Sequence, residues 1–289
     1  MRRHTKPILC VLFCIFTAAA WYQLFYLSKY TFGMSRYTIS SYIETPIRIV
    51  HLSDLHGSQF GQNNQDLVDA VKQEVPDLIV LTGDLIDDDT EDLSAVQSLI
   101  AALSQVAPVY ASYGNHELDH QKNFHSNIAQ VYTQAGATVL EQEWDEIEIN
   151  GSQLRIGGIY SYCLPHRYAE GNEQRQAEAD FLAAFQDTDL PTILLSHQPV
   201  GWLGSSLDAW DISVVFSGHL HGGQMILPGI GGLYAPDMGW FPGRLWGTYS
   251  SSDGQTTLVL SRGLGTSELL PRVNNIPEII VVDLVPIGA

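Results

Sequence analysis

The chain opens on one long apolar run and then settles into short apolar blocks cut by polar punctuation. Ile8 to Leu27 carry no charge, and a helix of that length, rising ~1.5 Å per residue, spans roughly the 30 Å hydrocarbon layer of a bilayer. From Ile47 onward the blocks shorten and fill with Ile, Val and Leu, as strands buried on both faces do. They predict strands over Ile47–Leu52, Leu78–Thr82 and Pro108–Tyr113, each followed by a helix, over Asn64–Glu74, Glu91–Ser104 and Lys122–Ala135. Repeated β-loop-α units imply a parallel sheet. After Gly136 the pattern alternates, predicting an antiparallel pair, Trp144–Ile149 and Leu154–Ile159, turned by Asn150-Gly151. A helix over Glu173–Gln186 and strands over Thr192–Leu195, Ile212–Phe216, Thr257–Leu260 and Ile279–Leu284 complete a second set, so two sheets with helices outside are expected.

Three parts follow: an anchor over residues 1–27, a tether and edge strand over 28–45, closed by Pro46, and a catalytic domain over 46–289. Arg2, Arg3 and Lys6 precede the apolar run, and Trp21, Tyr22 and Tyr26 sit toward its far end. This fits a single-pass segment with a cytoplasmic amino terminus, an interfacial aromatic belt and an extracytoplasmic catalytic domain. Lys29 and Arg36 on the other flank reduce the asymmetry. Ala18-Ala19-Ala20 offers a signal-peptide cleavage site, but the apolar run continues past it.

Charge narrows the function. All 32 acids lie at Glu44 or beyond, and residues 41–289 hold only nine Lys and Arg, a formal balance of −23. Such a field repels nucleic-acid backbone, and no nucleic-acid-binding groove is expected. An anionic substrate needs a local positive charge, which bound divalent metals supply. The three cysteines, Cys10 and Cys14 in the apolar run and Cys163 alone, form no zinc-type pair, so metals here are held by nitrogen and oxygen.

Five polar clusters stand where apolar runs stop: Asp54-Leu55-His56, Gly83-Asp84-Leu85-Ile86-Asp87, Gly114-Asn115-His116-Glu117, Ser196-His197-Gln198-Pro199 and Gly218-His219-Leu220-His221. Carboxyl ends of strands are where α/β sheets hold ligands. In extended chain, i and i+2 project to one side, so Asp54 with His56, and His219 with His221, can each aim two donors at one point. Asp84 offers two oxygens for bridging, Asn115 a neutral oxygen and His197 a nitrogen. Seven donors suit two ions sharing one bridge, and Gly83, Gly114 and Gly218 permit tight turns and close approach. Taken singly, each of these residues reads as a loop or capping residue. Their ordered conjunction reads as a two-metal phosphoesterase site. Mixed Asp, Asn and His ligation suits Mn, Fe or Zn.

These fragments, in this order, resemble the calcineurin-like metallophosphoesterase superfamily, whose pattern is D-x-H, G-D, G-N-H-D/E, H and G-H-x-H, from about Ile47 to Leu284. The GHLHGGQ form, the anchor and the tail Ser261-Arg262-Gly263-Leu264-Gly265 through Pro271-Arg272 and Pro277-Glu278 are most similar to its bacterial membrane-associated, YaeI/YkuE-like branch. Where many relatives in that branch carry an acidic residue after the strand matching Gly157-Gly158-Ile159, Tyr160 and Ser161 stand here. The resemblance implies an α/β fold: a four-layer α-β-β-α sandwich of two mixed β-sheets flanked by helices, here preceded by one transmembrane helix. It implies one metal on Asp54, His56, Asp84 and His221 and a second on Asp84, Asn115, His197 and His219. By position and likeness His116 is the catalytic acid, with Glu117 to orient it and Asp87 to hold a ligand histidine. Arg262, in a glycine-flanked turn after a strand, is the candidate phosphate-binding arginine. His51, His120 and His125 are assigned to core or surface, and His166 to the surface or a substrate cleft.

The expected function is hydrolysis of a phosphodiester or pyrophosphate, lipid- or nucleotide-linked, by a two-metal-activated water. A membrane-tethered binding module without catalysis, and a phosphomonoesterase or protein phosphatase, are the competing readings. The stretch from Gly222 to Gly247, with Tyr234, Trp240, Phe241 and Trp246, reads as an ordered loop beside the site, its aromatics suited to a lipid interface.

Overall fold

Two mixed six-stranded sheets face each other in the computed structural model, which describes residues 5–265 and 271–288. The first contains β1 (Gly33–Ser41), β2 (Ile47–Leu52), β3 (Leu78–Thr82), β4 (Val109–Ser112), β5 (Ala137–Val139) and β12 (Glu278–Pro286), in the order β1-β12-β2-β3-β4-β5. From β2 to β5 its strands run parallel, and β12 pairs antiparallel with β2 and parallel with β1. The second contains β6 (Glu143–Ile149), β7 (Ser152–Gly158), β8 (Thr192–Leu195), β9 (Val214–Ser217), β10 (Gly247–Ser250) and β11 (Thr257–Leu260), in the order β10-β11-β9-β8-β7-β6.

Neighbouring side chains on one strand leave opposite faces of the sheet. Ile49 and Val80 therefore meet Ile156, Ile193 and Val214 between the sheets. Val50, Ile79 and Leu81 pack outward on Leu67, Leu99, Ile100 and Tyr132 of the helices. Leu194, Val215 and Leu258 do the same for Leu182 and Phe185 on the far side. The result is the expected α-β-β-α sandwich, and each fully buried Leu, Ile or Val contributes roughly 1.5–3 kcal/mol.

The helix predicted over Lys122–Ala135 is two helices, Asn115–Phe124 and Ile128–Gln134. His125 ends the first in a left-handed conformation, and Asn127 caps the second by accepting from the Gln130 N–H at 2.9 Å. The first begins seven residues earlier than predicted because its opening turn is polar, filled with site residues rather than a hydrophobic stripe. The three-residue β5 and the edge strand β10 were too short or too half-exposed to be read from pattern.

At the amino end, Thr5–Trp21 continues through a π-helical turn, Tyr22–Tyr26, into Leu27–Tyr30. Cys10–Tyr30 is long and apolar enough to cross a membrane. Its last turns dock on the domain: the Asn274 N–H donates to the Leu24 carbonyl and the Asn275 N–H to the buried Ser28 Oγ, both at 3.1 Å.

Between β5 and β6, burial pushes the Glu141 carboxyl up to about 7, against the opposing effect of the Tyr160 and Tyr113 N–H groups. A pKa above the unfolded value of 4.5 means the folded state keeps a proton that the unfolded state releases, so stability falls as pH rises from 4.5 to 7. Glu141→Gln is expected to stabilise the fold by about 2–3 kcal/mol more at pH 8 than at pH 5, measured by urea unfolding at both.

Candidate metal centre

Every strand that was expected to deliver a donor ends at one edge of the sandwich. Asp54 and His56 follow β2, Asp84 and Asp87 follow β3, Asn115 and His116 open the helix after β4, His197 follows β8, and His219 and His221 follow β9. The pairs do not converge by extended alternation. Asp54, His56, Asp84, His219 and His221 are all left-handed, with φ between 46° and 69°. Such backbone costs of order 1 kcal/mol at each non-glycine residue and persists where surroundings over-determine it.

Two triads of donor atoms result, Asp54 with His56 and His221, and Asp84 with His197 and His219, each with its atoms within 4.8 Å of one another. Asp84 joins them: its Oδ2 stands 3.1 Å from His197 Nε2 and 3.7 Å from His56 Nε2. His197 Nε2 and His219 Nδ1 face each other at 3.2 Å. The outward nitrogen of three of these rings is tied down. His56 Nδ1 donates to Asp87 at 2.8 Å, His197 Nδ1 to the Thr82 carbonyl at 2.7 Å, and His219 Nε2 to Asp237 at 3.0 Å. This leaves the inward nitrogens as lone pairs. Asp54 Oδ2, His56 Nε2 and Asn115 Oδ1 are buried without a hydrogen-bond partner. Unpartnered buried acceptors of hard or borderline type fit divalent cations.

The charges agree. Burial works to lower the His197 pKa, but the Asp84 and Asp54 carboxylates outweigh it and carry the ring up to about 9. Burial alone would raise Asp84, yet the facing His197 and His56 rings hold it well below the carboxylate range. His56, pulled down by burial, is likewise raised by Asp87 and Asp84. The carboxylates around His56 and His197 thus make the centre favourable to positive charge.

Gly83 and Gly114 let two of the loops touch. A Cβ on Gly83, whose φ is +84°, would lie 2.1 Å from the Gly114 nitrogen, and one on Gly114 would lie 2.1 Å from Asp84 Oδ1. Glu117 does not take the role expected of it beside His116. Its oxygens accept from the N–H groups of Asp84, Leu85 and Gly114 and from the Tyr132 hydroxyl, at 2.8–2.9 Å. Four donors fill a carboxylate's acceptor sites, so Glu117 clamps the Asp84 loop to the helix that carries Asn115. His116 is held instead from Asp88, whose N–H donates to His116 Nδ1 at 3.2 Å.

Asp237 was missed because it lies in the stretch from Gly222 to Gly247, which has no period, and no motif marks it. Arg272 stands in the carboxyl-terminal tail, where no pattern marks it as buried. It is buried, its pKa pushed down to about 10 by desolvation, and it donates to the carbonyls of Gly265 and Arg262. Arg262 lies with its guanidinium 4.8 Å over the Trp246 ring, its backbone N–H bound to Glu278. Among the other described histidines, His51 contacts Thr82 Oγ1, His120 bridges Ser126 and the Thr90 carbonyl, and His166 pairs with Asp180 on the surface.

A family model for calcineurin-like phosphoesterases matches residues 47–223. The phosphodiesterase YaeI of Escherichia coli is 28% identical over 83% of this chain and 83% of its own length. The uncharacterized metallophosphoesterase YkuE of Bacillus subtilis is 29% identical over 82% of this chain and 78% of its own. A solved dimetal phosphatase from Danio rerio overlays with a TM-score of 0.43 at 14% identity, over 76% of this chain and 88% of that one.

Proposed function

The chain belongs to the calcineurin-like phosphoesterase family, and from that premise we propose that it is a membrane-anchored phosphohydrolase acting on a phosphodiester or pyrophosphate. Asp54, His56, Asp84 and His221 would hold one divalent ion, and Asp84, Asn115, His197 and His219 the other, which keeps all seven donors in use. Bound there, two such ions supply Lewis acidity at phosphoryl oxygens and an acidified water able to attack phosphorus.

The chain's own residues do the rest. The Asp88 N–H on His116 Nδ1 places the ring proton on Nε2, the tautomer that donates to a leaving oxygen. Asp87, Thr82 and Asp237 fix the rings of His56, His197 and His219. A cleft of about 420 Å³ lined by Tyr162, Leu164, Tyr168 and Val200 adjoins the site through Tyr162, which feels the Asp237 carboxylate, and suits an apolar substituent. The diester preference draws on the name of the Escherichia coli relative. Placement of the domain outside the membrane draws on the basic residues before the apolar helix. The observation that carries the reading is the pair of donor triads, Asp54 with His56 and His221 and Asp84 with His197 and His219, joined by Asp84 Oδ2 at 3.7 Å from His56 and 3.1 Å from His197.

The test is manganese-dependent hydrolysis of an aryl phosphodiester by the full chain. His116→Ala is expected to lower turnover by about 10²–10⁴-fold with metal retained; an unchanged rate removes His116 as the acid. Asp237→Ala is expected to weaken the hold on the ion at His219 by roughly 10–100-fold in chelator competition, and Asp237→Asn, which keeps an acceptor oxygen, by less.

A further inference from the structure

A series of backbone hydrogen bonds joins the docked end of the N-terminal helix to the rim of the metal centre. The Asn274 N–H donates to the Leu24 carbonyl at 3.1 Å, that of Ile226 to Val273 at 3.0 Å, that of Leu233 to Met225 at 2.8 Å, and that of Phe241 to Leu233 at 2.9 Å. At ~4.8 Å per hydrogen-bonded step and ~3.8 Å per residue along the chain, the Phe241 backbone lies within about 27 Å of the helix. Asn275 ties the same platform to the centre, its Nδ2 donating to the His221 carbonyl at 2.7 Å while its backbone N–H holds Ser28.

On this platform three large apolar side chains face solvent: Ile230 at 67%, Trp240 at 63% and Phe241 at 59% exposure. Trp240 follows by three residues Asp237, whose carboxylate holds His219. Residues 222–247 contain one acid and one base, a neutral patch on a strongly acidic domain. The helix presents exposed Trp21, Tyr22 and Tyr26 around Leu24, at the level where aromatic side chains mark the edge of a bilayer.

We propose that Ile230, Trp240 and Phe241 are a second membrane contact, seated in the headgroup layer of the leaflet from which the helix emerges. The metal centre then opens at the lipid surface, and its phosphoester is carried by a lipid of that leaflet. Desolvating large apolar and indole side chains at the interface drives the contact. Electrical neutrality matters because the rest of the domain is repelled by anionic headgroups. The proposal rests on the anchor in the function proposed above, and the experiment separates the two.

The full chain is placed in phosphatidylcholine vesicles with acyl chains brominated near the headgroup, and the quenched fraction of tryptophan emission is compared with that of Trp21→Phe and Trp240→Phe. Both substitutions are expected to lower the quenched fraction. An unchanged fraction in Trp240→Phe beside a lowered one in Trp21→Phe overturns the second contact and leaves the anchor standing. An unchanged fraction in Trp21→Phe overturns the anchor and this proposal with it. Combined Ile230→Ser, Trp240→Ser and Phe241→Ser are expected to lower the ratio of rates on a vesicle-embedded phosphodiester lipid and a water-soluble aryl phosphodiester by about tenfold. An unchanged ratio contradicts a lipid substrate.

Discussion

Replacing Asp84 by Asn is expected to lower turnover by about three orders of magnitude, the equivalent of roughly 4 kcal/mol at the transition state, and to lower metal content with it. Asp84 is buried, and among the described residues it alone has an oxygen within 4 Å of a ring in both donor triads, His197 on one side and His56 on the other. Asn keeps a carbonyl for the His116 N–H, which Asp84 Oδ1 accepts at 2.9 Å, so the loop can keep its shape. It removes the negative charge and replaces one oxygen with an amide nitrogen, which has no free lone pair to offer a cation. The fold should survive, with circular dichroism and unfolding midpoint near those of the parent. Parental turnover in a variant shown to be folded would mean that Asp84 bridges nothing.

Glu117→Gln is expected to destabilise the protein by about 3 kcal/mol or more, because an amide nitrogen replaces one acceptor oxygen opposite buried N–H groups. Both oxygens of Glu117 carry two donors each, and the side chain is fully buried. The same substitution loosens the Asp84 loop from the helix that begins at Asn115, so turnover falls even where the protein stays folded. Urea unfolding checks the first effect, and a loss below about 1 kcal/mol would deny the clamp its role.

Legibility in the sequence followed the physics of each region. Strands such as Leu78–Thr82 and Thr192–Leu195 were readable because both faces are buried and every position is apolar or small. The donors were readable because each stands where such a run stops, and a polar group at a buried strand end needs a partner. What pattern could not carry was conformation set by neighbours distant in sequence. The left-handed backbone at Asp54 and His219 is imposed by packing between loops, and the donors of Glu117 come from three separate segments. Asp237 meets His219 only because the loop around it folds back. The docking of Leu24 and Ser28 on Asn274 and Asn275 joins residues some 250 apart, beyond any local signal.

All of this turns on whether the two triads bind two neighbouring cations. The most direct measurement is metal content together with electron paramagnetic resonance on the full chain loaded with Mn(II). The expected result is about two ions per chain with the spectrum of a spin-coupled pair, as ions roughly 3.5–4 Å apart give. One ion or fewer per chain, or ions that behave as isolated centres, would contradict it.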